Sequence, residues 1–368
     1  MRVALFLPSL AGGGAERVFA LLAEGLAARD IETEMVLASA EGPHVATVRE
    51  VVPVVDLHAS STRASLLPLA RYLRRRRPDV LVVGLAHASI IAVWARWLAR
   101  AGTVVVITHH LGLSTEKASF KARMWSMLRA WFYPHADAIV AVSRDMAVDL
   151  AQSIGVPGDR VEVILNPVIS PGLKALGDVP LDHPWFAAGA PPVVVGIGRL
   201  QPQKDFPTLI RAIALVRTQR PVRLLVLGEG RDRPELEALV RELGLTDDVE
   251  LPGFVENPYA YLARAAVFAL SSVYEGLPTV LIEALALGTP VVSTDCPNGP
   301  REILDDGRLG RLVPIGQPAV LSAAIATTLA EPQKPVSDAR LAPYRQADAV
   351  ENYVRLFNRL IEARRRRG

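Results

Sequence analysis

Four short stretches place chemically useful side chains where a strand hands over to a helix. The first is Gly198-Arg199-Leu200-Gln201-Pro202-Gln203-Lys204-Asp205, directly after the apolar run Val193–Ile197. Arg199 and Lys204 on such a turn can clamp a diphosphate, with the following helix N-terminus adding its dipole. Two solvated surface cations are the plainer alternative. The second is Glu275-Gly276-Leu277-Pro278-Thr279-Val280-Leu281-Ile282-Glu283, after the run Val267–Leu270. The pattern predicts Glu275 in a loop and Glu283 in a helix, with the amides of Gly276, Leu277 and Thr279 turned towards a crevice. A carboxylate there can accept from two vicinal hydroxyls of a ribose or hexose; the plainer alternative is a helix-start Glu and an exposed helix Glu.

The third stretch, Ile107-Thr108-His109-His110, closes another apolar strand and sets a polar pair at its carboxyl end. A single histidine is more often structural than catalytic; two at a strand end strengthen the functional reading. The fourth is the glycine loop Leu10-Ala11-Gly12-Gly13-Gly14-Ala15-Glu16. Glycines let a ligand approach the backbone, and a helix N-terminus favours anions. A dinucleotide fingerprint would need a third glycine where Arg17 stands, and no acid follows the second strand at Val36–Ser39, so NAD does not fit. A tight turn without a ligand is the alternative. No H-E-x-x-H or D-x-D spacing occurs, and no metal is expected.

These loops need a scaffold, and the chain supplies one. Short runs rich in Val, Ile and Leu alternate with longer helical patterns. Continuous apolar strands between helices mean a parallel sheet covered on both faces. Strands are expected at Val3–Leu7, Glu34–Ala38, Pro53–Leu57, Val80–Val83, Val104–Thr108, Ala138–Val142 and Val161–Leu165. The rhythm breaks over Asn166 to Pro192, which holds six prolines and reads as a linker. It restarts at Val193–Ile197 and runs through Leu312–Val313. The fold class is therefore α/β, with two doubly wound Rossmann-like domains at 1–168 and 190–335. If the two face each other, a cleft between them is the default ligand site.

Composition narrows the class. The 368 residues are half hydrophobic and 21% charged, which excludes a disordered or fibrous chain. The single cysteine, Cys296, excludes an internal disulfide framework and points to a reducing compartment. Net charge is +3, and two runs set its sign: Arg74–Arg77 and Arg364–Arg367. Removing those eight positive charges from +3 leaves −5, so the body is mildly acidic and a nucleic-acid partner is not expected. A local anionic partner such as a membrane surface fits better. The longest apolar stretch, Val80 to Ala95, is too short to span a bilayer. The start MRVALFLPSLAGGG reads as strand, loop and helix rather than a signal peptide.

Taken in order, the motifs resemble the retaining GT-B glycosyltransferases of family 4, over essentially the whole chain. The marks are Gly13-Gly14-Ala15-Glu16, Gly198 to Asp205, Leu225 to Gly230, Gly253 to Val255, Glu275 to Ala284 and Gly288 to Asp295. The resemblance implies that Arg199 and Lys204 hold a diphosphate and that Glu283 binds the nucleotide ribose. It implies that Glu275 binds the donor sugar's hydroxyls, and that Gly228 and the Val255 backbone line the nucleobase pocket. Gly13 and Gly14 would close on the diphosphate, and His109 would contact the donor sugar near the reacting carbon. Pro278 departs from a glycine common in the motif and removes one amide donor. A helix at 347–368 would pack back on the first domain.

The implied reaction uses no cofactor: a nucleotide diphosphate sugar, expected to be UDP-linked, is the donor. The acceptor is expected to be a lipid-linked saccharide or another glycan or glycolipid precursor. The Lys117–Tyr133 helix bears on this. Phe120, Met124, Trp125, Leu128, Trp131 and Phe132 share an apolar face, and Lys117, Lys121, Arg123 and Arg129 add cations. Such a helix suits a membrane surface or a core-packed position with a basic outer face. The expected location is cytoplasmic, peripheral at the inner face of the membrane. A soluble transferase acting on a small acceptor, a nucleotide-sugar 2-epimerase and a silent nucleotide-sugar-binding relative are the alternatives.

Overall fold

The computed structural model describes residues 1–11, 13–110, 120–331 and 336–366, with backbone alone for 120–123. It divides into two compact units: residues 1–170 with 343–368, and residues 171–342.

In chain order the first unit holds β1 (Arg2–Leu7), α1 (Gly14–Ala27), β2 (Glu32–Leu37), α2 (Val45–Val51), β3 (Val54–Asp56), α3 (Leu66–Arg76) and β4 (Val80–Gly84). It continues with α4 (Ala86–Ala99), β5 (Val104–His109), α5 (Phe120–Phe132), β6 (Ala138–Ala141), α6 (Arg144–Ile154) and β7 (Val161–Val163). Its sheet has the order β3-β2-β1-β4-β5-β6-β7, and every pairing is parallel. All five residues of β4 and all six of β5 are buried, as a central strand covered on both faces requires.

The second unit holds α7 (Leu173–Asp178), β8 (Val193–Ile197), α8 (Phe206–Arg217), β9 (Arg223–Leu227), α9 (Arg233–Glu242), β10 (Val249–Gly253), α10 (Pro258–Arg264) and β11 (Val267–Leu270). Then come α11 (Thr279–Ala286), β12 (Val291–Thr294), α12 (Pro300–Ile303), β13 (Arg311–Val313), α13 (Pro318–Ala330) and α14 (Asp338–Leu341). Its parallel sheet runs β10-β9-β8-β11-β12-β13. The order of connection reverses between β1 and β4 in one sheet and between β8 and β11 in the other. Crevices in such sheets open at the carboxyl ends of those strands.

The last helix, α15 (Gln346–Arg365), belongs to the first unit. It lies against α1, where Gly25 lets Val350 approach: a Cβ on Gly25 would sit 2.5 Å from Val350 Cγ2. Gln346 Nε2 donates to the Leu21 carbonyl at 2.7 Å, and Arg29 pairs with Glu351. Tyr353 and Phe357 are buried there; each such side chain contributes about 1.5–3 kcal/mol by leaving water.

Three expectations change. The stretch Asn166 to Pro192 is not a free linker: α7 forms inside it and is held by the second unit. Asn257 Nδ2 donates to Leu176 O at 2.8 Å, and Arg264 Nη1 to Gly177 O at 2.9 Å. The pattern of apolar residues predicts a helix over Lys204–Thr218, but Lys204 closes a short 3-10 turn, Pro202–Lys204, and α8 begins only at Phe206 because Asp205 adopts a left-handed backbone (φ 45). In α5, Arg129 is buried at 3% exposure rather than supplying an outward cation, while Met124, Met127 and Trp131 face outward. Gly12, Lys117 and Arg367 lie outside the described residues, as do the side chains of Phe120, Lys121 and Arg123.

Candidate active site

The strongest concentration of charge in the second unit stands at its switch point. The loop after β8 carries Lys204 and the loop after β11 carries Glu275. Although 71 positions apart, they meet because β8 and β11 are neighbours: Lys204 Nζ donates to Glu275 Oε1 at 2.6 Å. The ammonium side chain is 16% exposed and the carboxylate 8%, so the pair is largely withdrawn from water. Burying two charges is favourable only when further bonds support them, and here they do. Ser272 Oγ donates to the same Glu275 oxygen at 2.5 Å. The backbone N–H of Glu275 donates to Pro297 O at 3.1 Å.

The two loops are also tied to each other. Val273 N donates to Gln203 O at 2.8 Å, Gln203 Nε2 to Tyr274 O at 2.9 Å, and Ser271 Oγ to Lys204 O at 2.7 Å. Thr294 Oγ1, at the end of β12, donates to Ser272 O at 2.6 Å. Lys204 and Glu275 are therefore held in register before any ligand arrives. Both Glu275 contacts fall on Oε1; Oε2 accepts no hydrogen bond among the described residues. An ammonium has three donors, so Lys204 can keep its Glu275 bond and still serve an anion. Nearby Cys296 is buried, and its thiol is pushed up to about 12 by that burial, with the Glu275 charge adding to it.

Arg199 stands apart from this pair. It is exposed and makes no ion pair among the described residues. Its loop is shaped by Gly228 (φ 140), where a Cβ would lie 2.1 Å from Gly198 O. No side chain fits there, so the turns after β8 and β9 can touch backbone to backbone. Glu283 lies on α11, buried at 5% exposure, with the Tyr259 hydroxyl 3.4 Å from its Oε1. Gly276 and Leu277 are buried in the loop before α11, and Thr279 opens that helix, half-buried. Val255 is half-buried beyond β10. The expected helix-borne Glu283 and loop-borne Glu275 are thus found as such, and neither is exposed.

The first unit presents a different end. His109 is the last residue of β5 and is buried at 3% exposure, its ring 6.2 Å from that of Tyr133. Thr108 Oγ1 lies 3.1 Å from Val83 O and 3.0 Å from His110 Nε2. Burial, together with the neighbouring His109, pulls the His110 imidazole down to about 3. Gly13 caps α1 and Gly14 is its first residue. Among the described residues no group of three or more His, Cys, Asp or Glu side chains is placed to hold a metal ion.

Sequence reasoning did not single out Ser272, Gln203 or Tyr259. Ser271 and Ser272 follow β11 directly, the same strand-end signal that drew notice to Thr108 and His109.

Two family descriptions cover most of the chain. "Glycosyltransferase Family 4" matches residues 12–169, and "Glycosyl transferases group 1" matches residues 191–331. The chain belongs to the family 4, group 1 glycosyltransferases. Within that family it is 31% identical, over 89% of this chain and 90% of the relative, to the Campylobacter jejuni N-acetylgalactosamine-N,N'-diacetylbacillosaminyl-diphospho-undecaprenol 4-alpha-N-acetylgalactosaminyltransferase. It is 30% identical to the lipopolysaccharide core biosynthesis glycosyltransferase LpsE of Rhizobium meliloti, over 87% of this chain and 86% of that one. The glycosyltransferase fold is shared with HepE of Anabaena, solved with UDP and glucose, at a TM-score of 0.72. That match is 22% identical and covers 99% of this chain and 98% of the other.

Proposed function

We propose that this glycosyltransferase moves a sugar from a nucleotide diphosphate sugar, UDP-linked, to a hydroxyl of a lipid-linked saccharide or related glycolipid precursor, with retention of configuration. The observation that carries the donor half is the supported Lys204–Glu275 pair, with Lys204 donors and Glu275 Oε2 still available and the unpaired Arg199 on the same loop. Arg199 and Lys204 would hold the diphosphate and stabilise the charge growing on it as it leaves. Glu275 would accept from the donor sugar's hydroxyls and Glu283 from the ribose. Gly228 and the Val255 backbone would border the base. Gly13 and Gly14 would approach the diphosphate from the first unit, and His109 would position the sugar.

In the step itself the acceptor oxygen bonds to the anomeric carbon on the face from which the diphosphate departs. The bond from that carbon to the phosphate oxygen breaks, and the acceptor proton passes to the departing β-phosphate. No cofactor or metal enters this scheme.

The names of two relatives support the acceptor class: one acts on a diphospho-undecaprenol saccharide and one in lipopolysaccharide core biosynthesis. Surface chemistry supports work at a bilayer. Met127 is 73% exposed and Trp131 57%, and Trp97 packs edge-on to Trp131 with centroids 6.0 Å apart. An apolar aromatic face of this kind suits the headgroup boundary. No described helix is long and apolar enough to cross a membrane.

The test is a panel of nucleotide sugars with a lipid-linked oligosaccharide acceptor in detergent. Transfer with release of nucleoside diphosphate, and an axial product linkage from an axial donor, is expected. Transfer only to water-soluble acceptors would reject the lipid-linked reading, and an epimerised free sugar would reject transfer.

A further inference from the structure

Three helices of the first unit end around one cavity, at the opposite side of the sheet from His109. α3 stops at Arg76, with Arg77 following in the left-handed region (φ 47). α4 stops at Ala99, with Arg100 likewise left-handed (φ 51). α15 runs to Arg365. Between these ends and the chain entering β4 and β5 lies a cavity of about 540 Å³. Arg74, Arg77, Arg100, Arg364 and Arg365 line it, and Asp79 is its one acid.

Part of this charge is already engaged. Arg74 Nη2 donates to Leu98 O at 3.1 Å, and Arg364 Nη1 donates to Thr103 O at 2.9 Å and pairs with Asp137 Oδ1 at 3.8 Å. Asp79 Oδ2 accepts from the backbone N–H of Arg2 at 2.7 Å. Arg77, Arg100 and Arg365 make no ion pair or side-chain hydrogen bond among the described residues.

Cations at helix C-termini are expected from the dipole alone, so the excess decides. Each helix end carries about half a negative charge. Three ends and two carboxylates, Asp79 and the Asp137 that Arg364 shares with Arg96, still fall short of five guanidinium groups. The backbone sharpens the point. The residue that closes a helix in the left-handed conformation is ordinarily glycine, because a side chain there costs about 1 kcal/mol or more. Two of the three unpaired arginines occupy such positions. Glycine would relax the backbone at both places, and only the guanidinium groups would be lost.

We propose that this cavity is a binding site for a phosphate-bearing anion, held by Arg77, Arg100 and Arg365. Guanidinium groups match phosphate oxygens in pairs, and the cavity has room for the group that carries the phosphate. Strand β5 separates it from His109: six residues at about 3.3 Å each put it roughly 20 Å from that strand end. The site therefore does not depend on the donor reading, nor on a bilayer. The phosphate can belong to a free polyanion or to a lipid headgroup, and the experiment separates these.

The full chain in low-salt, phosphate-free buffer is titrated calorimetrically with inorganic pyrophosphate. In parallel it is sedimented with phosphatidylglycerol vesicles, with phosphatidylcholine vesicles as blank. Both assays are repeated with R77G/R100G and with R75A/R366A, which removes equal charge from the ends of α3 and α15 outside the cavity lining. Wild type is expected to bind at least one probe. R77G/R100G is expected to weaken that binding at least tenfold while melting no lower than wild type and keeping its UDP affinity. R75A/R366A is expected to change it less than twofold. Pyrophosphate binding alone identifies a soluble anion, and vesicle binding alone identifies a headgroup. Binding of neither probe, binding unchanged in R77G/R100G, or equal loss in the two variants would overturn the proposal.

Discussion

The carboxyl ends of the two sheets share a topology and differ in how they hold polar groups. In the second unit the loops after β8 and β11 are laced by hydrogen bonds, and the charged pair Lys204–Glu275 sits inside that frame. In the first unit the buried Thr108 and His109 close β5 with His110 just beyond, and burial, followed by the neighbouring His109, disfavours the charged form of His110. One end is organised around charge before a ligand arrives. At the other, burial disfavours the charged form of His110. That contrast suits a diphosphate at the second unit, whose chemistry is constant among nucleotide sugars, and acceptor chemistry at the first.

The largest expected effect comes from breaking the charged pair. Lys204→Ala or Glu275→Ala should each lower turnover by about 10²–10³-fold, as loss of a positioned electrostatic group does. Each should also destabilise the fold by about 3 kcal/mol, because the remaining charge stays buried without its partner. The double variant K204A/E275A should regain most of that stability in calorimetric melting and none of the turnover. Recovered turnover would show that the pair is structural only.

Next in size is Gly228→Ala. Its Cβ would meet Gly198 O at 2.1 Å with φ at 140, and a loss of about 2–3 kcal/mol is expected in urea unfolding. A neutral outcome would mean the backbone contact between the two loops does not hold the site.

For the first unit the expected signature is pH. The His110 imidazole is lowered from 6.5 to about 3, so the unfolded chain binds that proton more readily than the folded one. Stability is then fully present above about pH 6.5 and declines as pH falls through the window towards 3, by up to about 1.4 kcal/mol per pH unit. Urea unfolding at pH 7 and pH 5 should show this decline in wild type and a smaller one in His110→Asn. The smallest effect concerns Cys296. With its thiol pushed up to about 12 by burial, it should resist a thiol reagent at pH 8 in the folded chain and react once unfolded.

Much of this was readable from local pattern. Apolar runs such as Val80–Val83 and Val104–Thr108 announced a parallel sheet, and strand-end motifs announced where charge would stand. Partnership was harder to read. Nothing in the loop after β8 says that Lys204 will meet a carboxylate 71 residues on; that follows only from the adjacency of β8 and β11. Ser272 is not marked by the sequence, because a serine after a strand carries no charge. Arg129 was expected on a basic outer face, yet it is buried, because helical spacing gives the faces of a helix and not which one packs inward. The short helix α7 was hidden by the prolines around it.

UDP titration by calorimetry tests most directly whether the second unit holds the nucleotide diphosphate as proposed. Arg199→Ala removes an exposed, unpaired cation and leaves the Lys204–Glu275 pair intact, so folding should be unaffected. His109→Ala provides the matched change in the first unit. R199A is expected to weaken UDP binding at least tenfold, while H109A is expected to bind UDP like wild type and lose turnover. UDP binding unchanged in R199A, or lost in H109A, would contradict that proposal.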